Sequence, residues 1–520
     1  MRGLEVRHAV RLSLALLALV AGGTLGPSSA SAQCEPTTDC NSNGVLDSCD
    51  ITFGTSDDCN ANSIPDTCDI QAGSSDDCNF NGIPDECEPA PSFTVAPTGG
   101  LASAESTSIR GSVAAVGSPL DSTVGAGAGA VHVFRRVGTT WIEEGTPLIA
   151  SDASAGDSFG SSVSIDGNFL AIGAPGVDTG SLTDSGAIYI FRRNPTAGWI
   201  QTAKLTITPG IDQEALGTAV ALRGTRLMAG APQTAAAGAG RAVIYSFDGL
   251  AWSIDAIVTP ASNTPGANFG NSVAIGVTHA FVGAWGNSAS GTPVAGDVSV
   301  YELSGTWGFT GSLIAPSPQS GALFGIELAG NDTTLAIGAP GQTAGTGATH
   351  VFEKLGGVWT HVTELASPLG VPGIGFGHDL DLAKVGDRLV IGETEASTPT
   401  LVTGNAHVYS KSAGAWTLET SVTAGSVGDE FASAVSVDGV FAIVAARSIP
   451  SAEIFWVAPD VDCNGNGIDD LCDITSGVAT DCNGNSIPDS CDLASGTSGD
   501  CDGNLVPDEC QLENDPTLDC

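Results

Sequence analysis

One sequence unit recurs through residues 91–458 and limits the folds open to the chain. Its first half alternates apolar and small residues, as in FGSSVSIDGNFLAIGAP from Phe159. A glycine-rich loop, a short strand such as GAIYIF from Gly186 and a tryptophan strand complete it. Period-two alternation between Gly, Asp and Asn turns predicts a four-stranded antiparallel meander. Other copies begin at Leu216, Phe269, Phe324, Phe376 and Phe431, with a degenerate copy at Ser103.

Seven such units predict an all-β protein built around a seven-bladed β-propeller. The last unit, from Phe431, supplies two strands and then AEIFWVAP as its third, but it has no tryptophan strand. The segment SFTVAP, from Ser92 to Pro97, precedes the first unit and resembles a fourth strand such as SLIAP at Ser312. We therefore expect this segment to complete the last blade, which closes the ring and removes an exposed sheet edge.

The FG and GAP signatures of these units resemble the FG-GAP repeats of the integrin α-subunit β-propeller. That resemblance implies a propeller that holds a partner, and in several integrin blades it includes a DxDxDG calcium loop between strands 1 and 2. Here the corresponding turns are short, as at Asp166-Gly167 and at Val385-Gly386-Asp387. We therefore expect no calcium in the propeller.

A second, shorter repeat occupies both ends of the chain at a constant period. Six units of the form DCNSNGVLDSCD begin at Asp39, Asp58, Asp77, Asp462, Asp481 and Asp500. Oxygen side chains recur at positions 1, 3, 5, 9 and 12, which is the ligand spacing of a calcium loop whose position 7 offers its carbonyl. The alternative is a set of solvated acidic turns held by disulfides. Six copies with Asn recurring at positions 3 and 5 favour Ca²⁺ as the cofactor.

The predicted calcium ligands follow from this numbering. In the N-terminal repeats they are Asp39, Asn41, Asn43, Val45, Asp47, Asp50, Asp58, Asn60, Asn62, Ile64, Asp66, Asp69, Asp77, Asn79, Asn81, Ile83, Asp85 and Glu88. In the C-terminal repeats they are Asp462, Asn464, Asn466, Ile468, Asp470, Asp473, Asp481, Asn483, Asn485, Ile487, Asp489, Asp492, Asp500, Asp502, Asn504 and Asp508. The last loop has Leu505 at position 6 and Gln511 at position 12, so we expect it to bind weakly or not at all.

These units resemble thrombospondin type 3 repeats, which also carry Asp at position 9, Cys at 11 and Asp at 12. We expect them to contain little regular secondary structure. The resemblance implies disulfides from position 11 to position 2 of the next loop, while pairing within each loop remains the alternative. The implied pairs are Cys34–Cys40, Cys49–Cys59, Cys68–Cys78, Cys472–Cys482, Cys491–Cys501 and Cys510–Cys520. Cys87 and Cys463 are left over, and ring closure would bring them together, so we expect a bond between them.

The N-terminus predicts export. Arg2, Arg7 and Arg11 precede an apolar run from Leu12, and Ala30-Ser31-Ala32 offers a cleavage site before Gln33. Ala32-Gln33 is a poor context for lipid attachment at Cys34, and no other segment is long and apolar enough to span a bilayer. The expected location is secreted or cell surface, extracellular or periplasmic. The predicted domains are a signal peptide over 1–32, calcium repeats over 33–90, the propeller over 91–458 and calcium repeats over 459–520.

Charge excludes nucleic acid as a partner. The 520 residues carry a net charge of −41, and both blocks of calcium repeats lack Lys and Arg. All 14 cysteines lie in these blocks, as expected of an exported protein.

No catalytic residue is predicted, and no nucleophile elbow, phosphate loop or HExxH motif is present. His132, His350 and His407 share one strand register that blade packing explains, and His279, His361 and His378 share no ligand spacing. The tryptophans recur once per blade, as packing residues do. An acidic rim could include Asp157, Asp212, Glu214, Asp429 and Glu430.

We therefore predict a secreted, calcium-binding module for binding or adhesion, not an enzyme, with a protein or glycan partner. The alternatives are an extracellular hydrolase or lyase at the channel mouth and a purely structural surface protein.

Overall fold

A computed structural model gives the fold of the chain. It describes residues 40, 46–47, 51, 56, 63–72, 92–95, 101–137, 140–194, 196–233, 238–261, 264–373, 375–384, 387–394, 404–412, 414–423, 430–439, 441–447, 451–457, 463, 470–475, 477–482, 487–495, 498, 506–507 and 510. The chain forms two compact units, residues 1–75 with 81–84 and residues 76–80 with 85–520.

The described part of the second unit contains seven four-stranded antiparallel sheets, which confirms the predicted propeller. Blade 1 consists of β2 (Ser106–Arg110), β3 (Val113–Ser118), β4 (Ala130–Val137) and β5 (Thr140–Glu143). Blade 2 consists of β6 (Ser162–Asp166), β7 (Phe169–Ala174), β8 (Ala187–Asn194) and β9 (Gly198–Leu205). Blade 3 consists of β10 (Ala219–Arg223), β11 (Arg226–Ala231), β12 (Arg241–Phe247) and β13 (Trp252–Val258).

Blade 4 consists of β14 (Val273–Ile275), β15 (His279–Ala284), β16 (Asp297–Ser304) and β17 (Thr306–Leu313). Blade 5 consists of β18 (Leu328–Gly330), β19 (Thr334–Ala339), β20 (Ala348–Leu355) and β21 (Val358–Ala366). Blade 6 consists of β22 (Phe376–Leu382), β23 (Arg388–Glu393), β24 (Asn405–Ser412) and β25 (Ala415–Val422). We call the face that carries the loops from strand 2 to strand 3 and from strand 4 to the next blade the upper face. The tight hairpin turns lie on the lower face.

Blade 7 is assembled from both ends of the propeller sequence. Its strands are β26 (Phe431–Asp438), β27 (Phe441–Ala446), β28 (Ser451–Trp456) and β1 (Ser92–Val95). β1 pairs antiparallel with β28, with Ser92 opposite Phe455 and Val95 opposite Ala452. The predicted closure of the ring by residues 92–95 is therefore confirmed. The chain enters β1 and leaves β28 at the lower end of this blade.

Burial follows the place of each strand in its blade. The second strand is buried throughout, as in β3 and β19, because neighbouring strands cover its edges and neighbouring blades its faces. The fourth strand, at the outer edge, alternates between exposed and partly buried residues, as in β21. In the sequence, a fully apolar strand therefore indicates the second position in a blade, and an alternating strand indicates the fourth.

The glycines of the FG and GAP signatures allow adjacent blades to approach closely. A Cβ atom on Gly173, in the GAP segment of blade 2, would overlap the carbonyl oxygen of Gly217, in the FG position of blade 3. Ser162 Oγ donates a hydrogen bond to that carbonyl, with an Oγ to oxygen distance of 2.8 Å. The same approach recurs at five further blade boundaries, so steric contact between backbones explains why both signatures contain Gly.

Tryptophans of the outer strands pack against the preceding blade. The ring centroids of Trp252 and Phe169 lie 5.5 Å apart, and those of Trp359 and Phe281 lie 5.0 Å apart. Both pairs are edge-to-face, which is a favourable aromatic geometry. These contacts agree with the prediction that the tryptophans are packing residues.

Short helices lie within the terminal repeats. They are α1 (Asp66–Ala72), α3 (Asp470–Thr475) and α4 (Asp489–Ser495), and each begins at position 9 of its loop. A fourth short segment, α2 (Gln342–Gly345), lies in an upper loop of blade 5. No helix among the described residues is long and apolar enough to cross a membrane.

Both predicted disulfide schemes are wrong for the described cysteines. The bonds are Cys40–Cys68, Cys463–Cys491 and Cys482–Cys510, each joining position 2 of one loop to position 11 of the next, 28 residues later. The expected Cys34–Cys40, Cys68–Cys78, Cys472–Cys482, Cys491–Cys501, Cys510–Cys520 and Cys87–Cys463 bonds are therefore excluded, and Cys49–Cys59 lies outside the described residues.

The error came from treating the units as irregular loops. Position 11 belongs to the short helix that starts at position 9, and Cys68 and Cys491 lie within such helices. The helix holds its cysteine against the start of the preceding loop, with Cα atoms of Cys40 and Cys68 5.9 Å apart. That separation is normal for a disulfide.

Candidate functional site

The first strands of all seven blades line a central channel with a cavity of about 240 Å³. Hydrogen bonds link these strands from blade to blade. Ser108 Oγ accepts from the backbone N–H of Ile165 at 3.0 Å, and Ser164 Oγ accepts from that of Leu222 at 3.0 Å. Much of the polar character of the channel wall therefore holds the ring together.

Charged side chains from different blades also meet in the channel. Arg110 lies 3.7 Å from a carboxylate oxygen of Asp381 and 4.0 Å from one of Asp438. Burial by itself lowers the pKa of Arg110, but Asp381, Asp438 and Asp166 outweigh it and the pKa is raised. Arg110 thus stays charged and bridges blades 1, 6 and 7.

Two further carboxyl groups of the channel, Glu327 and Asp379, have raised pKa values. Burial raises the pKa of Asp379 to about 7, and the neighbouring Asp381 adds to this. Burial and the proximity of Asp379 raise the pKa of Glu327 well above its ordinary value. Asp379 also accepts the backbone N–H of Val435 in the next blade. Raised carboxyl pKa values in a cavity are a property of acid-base sites and of structural networks alike.

The predicted acidic rim of the upper face proves to be structural where the chain is described. Asp157 accepts the N–H of Ser154 at 2.7 Å, and Asp212 accepts that of Thr183 at 2.8 Å. Glu214 is 1% exposed, forms an ion pair with Arg241 and accepts the N–H of Ile211. Asp157 thus holds its own loop, while Asp212 and Glu214 also tie theirs to neighbouring segments of the upper face. Glu430 lies at the start of blade 7, and Asp429 lies outside the described residues.

The same upper loops expose apolar side chains. Leu120 is 58% exposed and Val124 is 47% exposed, both in the loop between β3 and β4. Other exposed apolar residues of the upper loops are Ile149, Ile211, Val294 and Leu369. The loops are thus fixed by their acids and present backbone and apolar groups outward.

The three histidines of the shared strand register have different partners. His132 Nδ1 lies 2.8 Å from Glu143 Oε1, and His407 Nε2 lies 2.7 Å from Glu393 Oε2. His350 Nδ1 lies 3.2 Å from Nε2 of His361 on the neighbouring strand β21. His361, which shares no ligand spacing with another residue in the sequence, is thus brought beside His350 by strand pairing. Neither the spacing of the two histidines along the chain nor any local motif signals this pair.

Ten of the predicted calcium ligands lie among the described residues. Asp47 Oδ1 accepts the backbone N–H of Cys40 at 3.0 Å, and the same bond joins Asp470 to Cys463 and Asp489 to Cys482. One oxygen of position 9 thus closes its own loop. At position 7, whose backbone carbonyl is a predicted ligand, Ile64 is exposed and Ile487 is partly buried.

The carboxylates at positions 9 and 12 are buried in every described pair. The exposed fractions are 7% and 0% for Asp66 and Asp69, 2% and 0% for Asp470 and Asp473, and 7% and 0% for Asp489 and Asp492. Buried carboxylates require a compensating cation or strong hydrogen bonds. The repeats contain no Lys or Arg, so this donor set fits a hard oxygen-binding ion.

Asp481, at position 1 of the fifth loop, lies against the propeller. One of its oxygens is 3.6 Å from Nη2 of Arg136, and its side chain is 1% exposed. The other predicted ligands lie outside the described residues: Asp39, Asn41, Asn43, Val45, Asp50, Asp58, Asn60, Asn62, Asp77, Asn79, Asn81, Ile83, Asp85, Glu88, Asp462, Asn464, Asn466, Ile468, Asn483, Asn485, Asp500, Asp502, Asn504 and Asp508.

Comparison with known proteins supports the repeat architecture. The FG-GAP repeat family matches residues 141–191, which run from the last strand of blade 1 into the third strand of blade 2. The fold defines a seven-bladed β-propeller repeat protein, and the match supports FG-GAP character for the repeat over residues 141–191. No curated protein matches the chain.

Among solved structures, the chain is similar to a putative 6-phosphogluconolactonase from Bacteroides uniformis, with 13% identity and a TM-score of 0.43. That likeness covers 65% of this chain and 89% of the other, and at this level it carries no argument about function.

Proposed function

We propose that the protein is a secreted, calcium-stabilised binding or adhesion module that holds a protein or glycan partner on the upper face of its propeller. The observation that carries this proposal is the construction of the upper loops. Their carboxylates are used to fix the loops, as Asp157 and Asp212 are, while Leu120 and Val124 are left exposed. Preorganised loops with apolar and backbone groups favour binding over acid-base catalysis.

The choice of the upper face rests on where the chain leaves the ring. β1 begins and β28 ends at the lower end of blade 7, and Asp481 of the C-terminal repeats contacts Arg136 near the lower end of β4. Because these described segments lie at the lower end of the ring, we place the partner on the upper face.

Array binding tests this face. The full chain should bind a protein or glycan on an array, and Leu120→Glu should abolish that binding by placing a charge at the contact. Leu250→Glu is the matched control, because Leu250 is 93% exposed in a lower-face turn of blade 3. Loss of binding in Leu250→Glu with retention in Leu120→Glu would contradict the upper-face assignment.

Calcium is part of the same proposal. The buried pairs at positions 9 and 12 support it, and extracellular calcium modules bind in roughly the 10⁻⁴ to 10⁻³ M range. Calorimetry at millimolar calcium should show several ions per chain, and Asp473→Asn should bind one fewer. Asp248→Asn, in an exposed propeller turn, should bind the same number as the natural chain. Failure of the full chain to take up calcium would end this part of the proposal.

Export is supported by the disulfides, which form in oxidising compartments. Expression in a secreting host should release a chain that starts near Gln33. N-terminal sequencing of the released protein checks this, and retention of residues 1–32 would contradict it.

A hydrolase or lyase in the channel is the second candidate, and the raised pKa of Asp379 favours it. A panel of glycoside and ester substrates would reveal such activity, which Asp379→Asn should remove. Turnover that survives in Asp379→Asn and Glu327→Gln would exclude the channel as its source.

A further inference from the structure

Blade 5 places His361 and Glu364 each beside His350 in its outer strands. His350 Nδ1 lies 3.2 Å from His361 Nε2 and 3.8 Å from Glu364 Oε2. His350 stands directly opposite Glu364 in the pairing of β20 with β21. A β-bulge between Val351 and Phe352 then shifts the register. Because of this shift, His361 and Glu364, three residues apart, both reach His350.

His350 is held in the tautomer that a metal ligand needs. Its side chain is 1% exposed, and its Nε2 lies 2.9 Å from Oε1 of the buried Gln342. With the Gln342 amide oxygen as the acceptor, Nε2 carries the proton of His350 and Nδ1 is left as the acceptor that faces His361. In a metal-binding histidine, the ring nitrogen that does not bind the metal usually donates a hydrogen bond to such an acceptor.

Both imidazoles are neutral near pH 7. Burial and the neighbouring His361 lower the pKa of His350 to about 4. Burial lowers the pKa of His361, although Glu364 acts in the opposite direction.

We propose that His350 Nδ1, His361 Nε2 and the Glu364 carboxylate bind one divalent transition-metal ion of borderline softness, such as Zn²⁺. Two histidines and one carboxylate are a known zinc donor set, and two nitrogens at about 2.05 Å from a tetrahedral zinc stand about 3.3 Å apart. The observed separation of 3.2 Å already has this value. Without metal, His361 Nε2 donates a hydrogen bond to His350 Nδ1, so binding requires the Nε2 proton to move to Nδ1 of His361.

The remaining parts of the site suit this ion. Glu364 is 44% exposed, so its carboxylate can rotate onto the metal at little cost. Phe324 lies against His350 and Phe352 against His361, with centroid distances of 5.3 and 5.1 Å, and they supply an apolar surround. This site differs from the calcium repeats in its nitrogen donors, and the proposal does not depend on calcium binding there.

The neighbouring blade shows the same position without the site. His407 occupies the register of His350, but Ser421 lies opposite it at 2.8 Å and Leu418 takes the place of His361. His361→Leu therefore copies a side chain that the fold already accepts there. Glu302 is the control position for Glu364. Its side chain is 45% exposed and lies 3.7 Å from one histidine, His279.

The test is a calorimetric titration of the full chain with Zn²⁺ in millimolar calcium, which competes with Zn²⁺ for the carboxylates of the acidic repeats. The natural chain and Glu302→Gln should each bind one Zn²⁺ at this site with the same affinity. His361→Leu should lose binding by a factor of about 100 or more, and Gln342→Leu, which removes only an outer contact, by about 10 to 100.

Folding of each variant is checked by its β-sheet circular dichroism, and Zn²⁺ should raise the thermal midpoint of the natural chain but not that of His361→Leu. Glu364→Gln, at an exposed position, gives a second variant that cannot fail through the core, and it too should bind more weakly. Equal Zn²⁺ affinity in the natural chain, His361→Leu and Glu364→Gln would overturn the proposal.

Discussion

The indole of Trp141 in blade 1 packs edge-on against the ring of Phe441 in blade 7, with ring centroids 5.7 Å apart. Arg136, also of blade 1, lies over the same ring with Cζ 4.9 Å from its centroid. The boundary between the first and last blades is thus packed like the other boundaries, although residues from opposite ends of the propeller sequence form it.

Phe441→Ala should weaken this boundary. Phe441 is 2% exposed, and the loss of a buried phenyl ring should lower the free energy of unfolding by about 3–5 kcal/mol. Denaturant unfolding followed by tryptophan fluorescence measures this. Phe309→Ala is the control, because Phe309 is 48% exposed and its loss should cost far less. Equal effects of the two changes would show that the boundary does not carry stability.

Gly173→Ala should destabilise the junction of blades 2 and 3. The added Cβ would overlap the carbonyl oxygen of Gly217, and relief of such a clash costs about 1–3 kcal/mol or more. Gly308→Ala is matched to it, since Gly308 also lies in a strand but has nothing within 4 Å of a Cβ. Thermal unfolding of both variants should separate them, and a neutral Gly173→Ala would contradict the backbone contact.

Asp379→Asn should stabilise the ring in alkaline but not in acidic solution. The pKa of Asp379 is about 7 in the fold and close to 3.8 when unfolded, so its stabilising contribution is present below about pH 4 and lost as pH rises through 7. The variant avoids this loss and should be more stable at pH 8 by about 1–2 kcal/mol, after allowance for screening by channel water.

The control for this pH effect is Asp248→Asn. Backbone hydrogen bonds from Ala251 and Leu250 lower the pKa of Asp248, which is the opposite direction, so no gain at pH 8 is expected. Chemical unfolding of both variants at pH 4, 6 and 8 gives the comparison. A gain for Asp379→Asn that did not grow with pH would refute the assignment.

Peptide mapping without reduction should recover the pairing between successive loops that the structure shows. The expected fragments link Cys40 to Cys68, Cys463 to Cys491 and Cys482 to Cys510. Fragments that join Cys472 to Cys463 or to Cys482 would instead support one of the two pairings considered from sequence.

Repetition made the fold predictable. Each blade repeats the same apolar alternation, and the missing fourth strand of the last unit pointed directly to Ser92–Val95. The blade 5 histidines could not be predicted in this way, because the bulge that brings His361 to His350 belongs to the pairing of two strands. The disulfides failed for a related reason, since a short helix at position 9 changes which loop each cysteine faces.

The sequence by itself determined the number of blades and the place of ring closure, because these follow from the local period and from the strand that the last unit lacks. Only the tertiary structure decided which charged groups meet. Asp381 of blade 6 lies beside Arg110 of blade 1 in the channel, and a shift of strand register places His361 beside His350. These contacts depend on the curvature of the ring and on the pairing of strands, and the linear order of residues specifies neither.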